Sequence, residues 1–254
     1  MPHFTYNGHS CYYEELGEGK PLLMLHGNTA SSVMFTELIG RYSDAYKVIL
    51  IDFLGHGRSD RLDRFPTDLW YDEAMQVIEF LRQKGYQDVD LLGCSGGALV
   101  AINVALEAPE LVDHVLADSF EGEVPLKAYT DVIVADREAS KKNEDSRMFY
   151  WYMQGDDWEP VVDNDTAAIV EHERTVGAFY HKPLSELRAK ILLTGSEEDE
   201  FTQLVGKDFF AKTYGEMIRK IGHGEYHLFP HGGHPAMLSN QDAFVEISLP
   251  FFRS

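Results

Sequence analysis

Three kinds of residue in this chain could act together on a carbonyl carbon: a serine set among small residues, a cluster of acids, and a histidine near the end. The serine is Ser95, in Gly93-Cys94-Ser95-Gly96-Gly97, which matches the pattern G-x-S-x-G. A free hydroxyl is a weak nucleophile and needs a neighbouring base. The base needs an acid that holds its tautomer and stabilises the imidazolium. Of the eleven histidines, His234 has the position for the base. It lies in His231-Gly232-Gly233-His234-Pro235, between the last strand-like run and the last helical pattern. His231 is the weaker rival, being nearer the strand end. His26 and His56 sit in Gly-flanked turns and read as structural hydrogen-bonding groups. His227 falls inside a strand-like run, and His9 and His223 read as exposed. The acid belongs in Gly195-Ser196-Glu197-Glu198-Asp199-Glu200. Asp199 is the first choice and Glu198 the second, most of the run reading as a solvated loop. Asp118 is a third candidate, because it follows a core strand and reaches the same edge of the sheet.

Such groups must be held by elements that end at one edge. Residues 21–25 and 46–51 are short apolar runs closed by His26-Gly27 and Asp52, and they read as buried strands. Residues 72–84 place Ala74, Val77, Ile78 and Leu81 on one helix face. A strand over 89–92 runs into Gly93. Residues 96–108, apolar nearly all round, read as a buried helix that Pro109 helps to end. Further strands are expected at 112–117, 190–194 and 225–229. A last helix lies within 237–252, with Phe244, Ile247 and Phe251 on one face. The alternation predicts an α/β fold with a mostly parallel sheet. In that setting the Ser95 turn is a sharp strand-to-helix elbow with a strained backbone. Small residues two before and two after the serine let strand and helix approach closely. A plain Gly-rich turn carries the same letters; the strand before and the helix after set this one apart. The helix also points its N-terminus at the site, which favours developing negative charge. The backbone N–H of Gly96 then offers one donor to an oxyanion. The N–H of Asn28, in the turn after 21–25, offers a second.

The alternation breaks near Ser119. Residues 121–182 carry twice as many acids as basic residues, and an aromatic cluster, Phe149-Tyr150-Trp151-Tyr152. They are expected to form a helical insertion over one end of the sheet. The chain then divides into a core of residues 1–120 and 183–254 and a cap of residues 121–182. Phe149, Tyr150, Trp151 and Tyr152, with Phe35 and Met34 from beyond the oxyanion turn, are expected to line an apolar substrate pocket. Packing of cap on core is the alternative for each.

Length and composition bound the rest. The 254 residues, 44% hydrophobic and 25% charged, suit a large domain with a full core and argue against disorder. A net charge of −20 makes nucleic acid and anionic membrane surfaces poor partners and reads as a soluble acidic surface. Of the two cysteines, Cys94 lies inside the serine motif, so no disulfide framework is expected and a reducing compartment fits. No apolar run approaches the ~20 residues of a spanning helix. The first residues lack a basic start followed by an apolar run, and a cytoplasmic location is expected. His223, His227, His231 and His234 cluster in sequence, and the four-residue spacings among them could place metal ligands on a helix. His227 reads as part of a strand, so no metal is expected, and nothing calls for a cofactor.

Leu25-His26-Gly27-Asn28, Asp52-Phe53-Leu54-Gly55-His56-Gly57-Arg58-Ser59, the Ser95 elbow and Gly233-His234-Pro235 recur together in one known family. From about residue 12 to its end the chain resembles the α/β-hydrolase superfamily of cofactor-free esterases, thioesterases, lysophospholipases, aminopeptidases and C–C hydrolases. The order Ser95, Asp199, His234 is that family's order and differs from those of chymotrypsin and subtilisin. The resemblance implies Ser95 as nucleophile, His234 as base, Asp199 as acid, and Asn28 and Gly96 as oxyanion donors. It also implies a helical cap, inserted after the sixth core strand, that shapes the pocket. The family often places its Asp three residues after the strand-end Gly. Glu198 stands there in this chain, so Asp199 and Glu198 both stay open. The reaction implied is hydrolysis of a small carboxylic ester or related acyl compound through an acyl-enzyme on Ser95. Serine in place of the nucleophilic Asp of haloalkane dehalogenases and epoxide hydrolases disfavours those chemistries. Two alternatives stand beside it: a C–C bond hydrolase acting on a diketone-type substrate with the same triad, and a non-catalytic ligand-binding member of the fold. The partner expected is a small-molecule substrate with an apolar acyl or alcohol part, bound by a monomer or homodimer.

Overall fold

A computed structural model describes residues 2–254. Its eight strands are β1 (His3–Tyr6), β2 (His9–Leu16), β3 (Lys20–Leu25), β4 (Tyr46–Ile51), β5 (Val89–Cys94), β6 (Val112–Asp118), β7 (Lys190–Ser196) and β8 (Glu225–Phe229). They form one sheet in the order β1-β2-β4-β3-β5-β6-β7-β8. The pairs β1/β2 and β2/β4 are antiparallel and all others parallel. The six parallel strands are those the apolar runs predict. The hairpin β1–β2 escapes sequence reasoning, because the polar letters of His9–Leu16 carry no continuous apolar run.

Side chains of each parallel strand alternate between two cores, as the period of two requires. Leu23, Leu25, Ile49, Ile51, Leu91, Val115 and Leu193 meet one cluster. Into it pack α2 (Leu69–Lys84), α3 (Gly96–Glu107) and α8 (Phe209–Ile221). Leu22, Met24, Val48, Leu50, Leu92, Leu116 and Leu192 face the other, with α1 (Ile39–Tyr42) and α10 (Gln241–Phe252). Buried on both sides, such strands need the near-continuous apolar composition seen here. From Gly96 to Leu106 α3 is buried throughout, in keeping with its composition.

Between β6 and β7 the chain leaves the sheet for three helices, α4 (Lys127–Ser140), α5 (Glu144–Gln154) and α6 (Trp158–Thr175). The short helix α7 (Glu200–Val205) follows β7, and α9 (Ala236–Ser239) precedes α10. Strand β3 has β4 on one side and β5 on the other, so the sheet order reverses there. In open parallel sheets, ligands bind at such a reversal, beyond the carboxyl ends of the strands. Here those ends are His26-Gly27-Asn28 after β3 and Ser95 after β5.

Candidate active site

Ser95 stands between β5 and α3 with φ 54° and ψ −126°, a conformation that costs a non-glycine residue of order 1–3 kcal/mol. The turn is possible because its neighbours are bare. A Cβ on Gly97 would collide with the carbonyl oxygens of Leu25 and His26, and one on Gly96 with the Asn28 amide and the Trp70 indole. These near-collisions also show how the site is assembled, with the Asn28 side chain against the start of α3. Gly96 heads α3, so its N–H is among those without an intrahelical partner.

His234 and its surroundings are fastened to the same strand ends. The Ser95 N–H donates to the carbonyl of Asp118 at 2.8 Å. The Asp118 carboxylate accepts from Thr194 Oγ1 at 2.7 Å and from the Met237 N–H at 2.9 Å. Ser119 Oγ accepts from the Ala236 N–H at 2.9 Å. The serine turn and the loop carrying His234 are thus both docked on Asp118 and Ser119. Burial pushes the Asp118 carboxyl up to about 7, against those hydrogen bonds.

His234 Nδ1 lies 2.9 Å from Asp199 Oδ2. Asp199 is fully buried, and its other oxygen accepts the Phe201 N–H at 3.0 Å, capping α7. Glu198, one residue away, is exposed and instead holds His231 Nδ1 at 3.1 Å and the Gly232 N–H at 3.2 Å. Asp118 is occupied by Thr194 and Met237. Of the three acids, Asp199 is the one hydrogen-bonded to His234. Burial pulls the imidazolium of His234 down, but the hydrogen bond and charge of Asp199, with Glu200 and Asp118, raise it to about 9. Glu121, three residues past Asp118, is pushed up to about 7 by burial, with His234 opposing and Asp199 and Glu200 adding.

The turn after β3 is held from several sides. His26 bridges it to the next strand end, its Nε2 accepting the Phe53 N–H at 3.2 Å. Asn28 Oδ1 accepts from Trp70 Nε1 at 3.2 Å, and Asn28 Nδ2 donates to Asp165 Oδ1 at 2.6 Å. Thr29 Oγ1 accepts from Arg137 Nη1 at 2.8 Å. Gln154 Nε2 donates to the carbonyls of Thr29 and Ala30 at 2.9 and 2.8 Å. Asp165 is fully buried; burial raises its pKa, while Arg137 and the Asn28 amide oppose. None of Trp70, Arg137, Gln154 and Asp165 stands out in the sequence. They are isolated polar or aromatic letters in helices, and only the packing of those helices over the turn gathers them.

The expected aromatic lining is corrected. Phe149, Trp151 and Tyr152 are 42%, 52% and 58% exposed. They lie on the solvent side of α5, where Trp151 Nε1 donates to Asp156 at 2.8 Å. Consecutive helical residues point about 100° apart, so four in a row cannot all face one pocket. Tyr150 alone turns inward, stacking on Trp158 and accepting from Arg137 Nη1 at 3.1 Å. Phe35 is fully buried in the core cluster that contains Leu38, Tyr42 and Phe244. Met34 packs against the same cluster, its sulfur 3.9 Å from that of Cys94.

Asp90, Asp113 and His114 gather their ligand atoms at the opposite end of the sheet. The Lys20 ammonium already fills the place of a cation, 2.7 Å from Asp90 and 2.5 Å from Asp113. His223, His227 and His231 share no such cluster among the described residues.

The chain matches the alpha/beta hydrolase family over residues 22–247, and it belongs to that family. Over 273 aligned residues it is 26% identical to a 2-hydroxy-6-oxo-6-phenylhexa-2,4-dienoate hydrolase of Comamonas testosteroni, covering 95% of this chain and 91% of that one. It is 24% identical to a proline iminopeptidase of Clostridioides difficile, over 96% and 95% of the two chains. Its fold matches that of an esterase from Exiguobacterium antarcticum with a TM-score of 0.76 and 20% identity, covering 98% of this chain and 97% of that one.

Proposed function

We propose that this protein is a serine hydrolase that cleaves a small carboxylic ester or related acyl substrate through an acyl-enzyme on Ser95. The observation that carries this reading is the hydrogen bond from the fully buried Asp199 to His234, whose loop is docked beside the Ser95 turn. Asp199 holds the proton on Nδ1 and leaves Nε2 free to accept another. Nε2 takes the Ser95 proton as Oγ attacks the carbonyl. The N–H groups of Asn28 and Gly96 hold the oxyanion. His234 then gives its proton to the leaving alcohol, and water, activated by the same nitrogen, releases the acid. The helical insertion serves as the cap over this site, and the substrate is a small molecule with an apolar acyl or alcohol part. Two free, buried cysteines and a net charge of −20 support a cytoplasmic protein that engages neither nucleic acid nor membrane.

A second reading has its own support. The Comamonas relative is named for a 6-oxo-dienoate, and in this reading the same groups cleave a C–C bond beside a ketone in a diketone-type substrate. The two are separated by turnover of activated esters against vinylogous diketones. Treatment with a fluorophosphonate, read by intact mass beside folded Ser95→Ala, tests what both share. A single adduct, absent from the variant, is expected; a folded wild-type protein that takes up no label would instead point to a ligand-binding member of the fold.

A further inference from the structure

Each helix of the insertion sends one polar side chain to the same three-residue turn. From α4 comes Arg137, to Thr29 Oγ1; from α5 Gln154, to the carbonyls of Thr29 and Ala30; from α6 Asp165, to the Asn28 amide. The turn they meet is unusual. Thr29 is β-branched yet has φ 56°, a genuine outlier for such a residue that persists only when its surroundings hold it. The Asn28 side chain is pinned at both ends, by Trp70 of the core and by Asp165 of the insertion. Apolar side chains would close an insertion onto a core without the desolvation cost of a buried carboxylate and guanidinium. Val161, Ala168 and Ile169 of α6 do join the core in that way, yet these directional groups are present as well, and all of them converge beside one backbone N–H.

We propose that Asp165, Gln154 and Arg137 are positioning residues that hold the Asn28 N–H where it donates to the oxyanion, making the insertion part of the reaction centre rather than only its cover. This rests on the acyl-transfer reading above. Groups that only wall a pocket change KM with substrate shape. Groups that aim an oxyanion donor change kcat, and change the affinity of any ligand that places an oxyanion in the same spot.

The test uses p-nitrophenyl butyrate as substrate and an alkyl trifluoromethyl ketone, whose hemiketal with Ser95 presents an oxyanion, as inhibitor. Asp165→Ala is expected to lower kcat by about 10²-fold, the cost of a small misplacement. KM should stay near its wild-type value, and trifluoromethyl ketone affinity should fall in parallel with kcat. Asp165→Asn, which keeps an oxygen for the Asn28 amide, should recover most of the loss. Asn28→Ala keeps the N–H but removes the pinned side chain, and adding it to Asp165→Ala should cost little more than the worse single change. Because Asp165→Ala leaves Arg137 buried without its countercharge, Gln154→Ala is measured beside it; it alters no charge and should show the same division between kcat and KM. Full kcat in these variants, a loss lying wholly in KM, or unchanged ketone affinity would overturn the inference while leaving Ser95 as nucleophile. A wild-type protein that is neither labelled by fluorophosphonate nor active on the ester would overturn both.

Discussion

Burial works to strip the proton from His234, and Asp199 works to keep it there. Moving an imidazolium out of water favours the neutral ring. The hydrogen bond and charge of Asp199, with Glu200 and Asp118, outweigh this and bring the group to about 9. A base must be neutral to accept the Ser95 proton. In our reading kcat/KM for an activated ester therefore rises with pH and levels off above about 9. For stability the direction is opposite: a folded pKa above the unfolded one means that the pair's contribution is full below about 6.5 and lost as pH rises through the folded value, about 9. Asp199→Asn still caps α7, since Asn is as good a cap as Asp, yet it should lower kcat by about 10⁴-fold by releasing the tautomer. Glu198→Gln should keep the wild-type pH profile. A flat wild-type profile, or equal losses in the two variants, would refute the assignment. Spacing alone could not choose between these acids. They are adjacent in one turn, and what separates them is that one side chain enters the protein while the other meets His231 in solvent.

The crossing of β5 and α3 over the end of β3 leaves no room for a side chain at Gly97. Gly97→Ala would drive a Cβ into the carbonyls of Leu25 and His26, and backbone oxygens at a strand end cannot swing aside as a side chain could. We expect a loss on the order of 3 kcal/mol, the upper range for overpacking, read from the shift in the urea midpoint, with activity falling at temperatures where the variant is still folded. An unchanged midpoint would mean that the strand end yields easily. At this scale the sequence was informative where composition is one-sided. Parallel strands buried on two faces must be apolar throughout, so 46–51 is legible to the residue, as is the all-round apolar α3. It was silent where an element is half wet. The β1–β2 hairpin alternates too weakly to be read, and α7 and α8 hide between β7 and β8. The helical insertion was legible as a break in rhythm, but its inward face was not. A run of four aromatics suggested burial, whereas a helix must distribute four consecutive residues around its circumference, and only Tyr150 faces in.

Seen whole, the molecule spreads its site over nearly its full length. The two proposed oxyanion donors come from the first hundred residues, and His234 comes near the end. No helix among the described residues is long and apolar enough to cross a membrane. Both cysteines are free, so no disulfide ties these segments together. The bonds that fasten the Asn28–Ala30 turn span large stretches of chain: 137 residues from Asn28 to Asp165, 125 from Thr29 to Gln154, and 108 from Thr29 to Arg137. Contacts between such distant segments form only after the loop entropy between them has been overcome, and they slow folding. Two local hydrogen bonds, from the Thr29 hydroxyl to the Asn28 carbonyl and from the Ala30 N–H to the Gly27 carbonyl, are joined at this turn by these distant ones, so the turn should take its final shape after the sheet is built. During refolding from urea, far-UV circular dichroism should recover before ester turnover does; simultaneous recovery of both would mean that the turn forms with the sheet. In the proposed reading, a chain still emerging from the ribosome would then carry Ser95 long before it could use it, and premature hydrolysis by an unfinished molecule would be prevented by the order in which its parts are made.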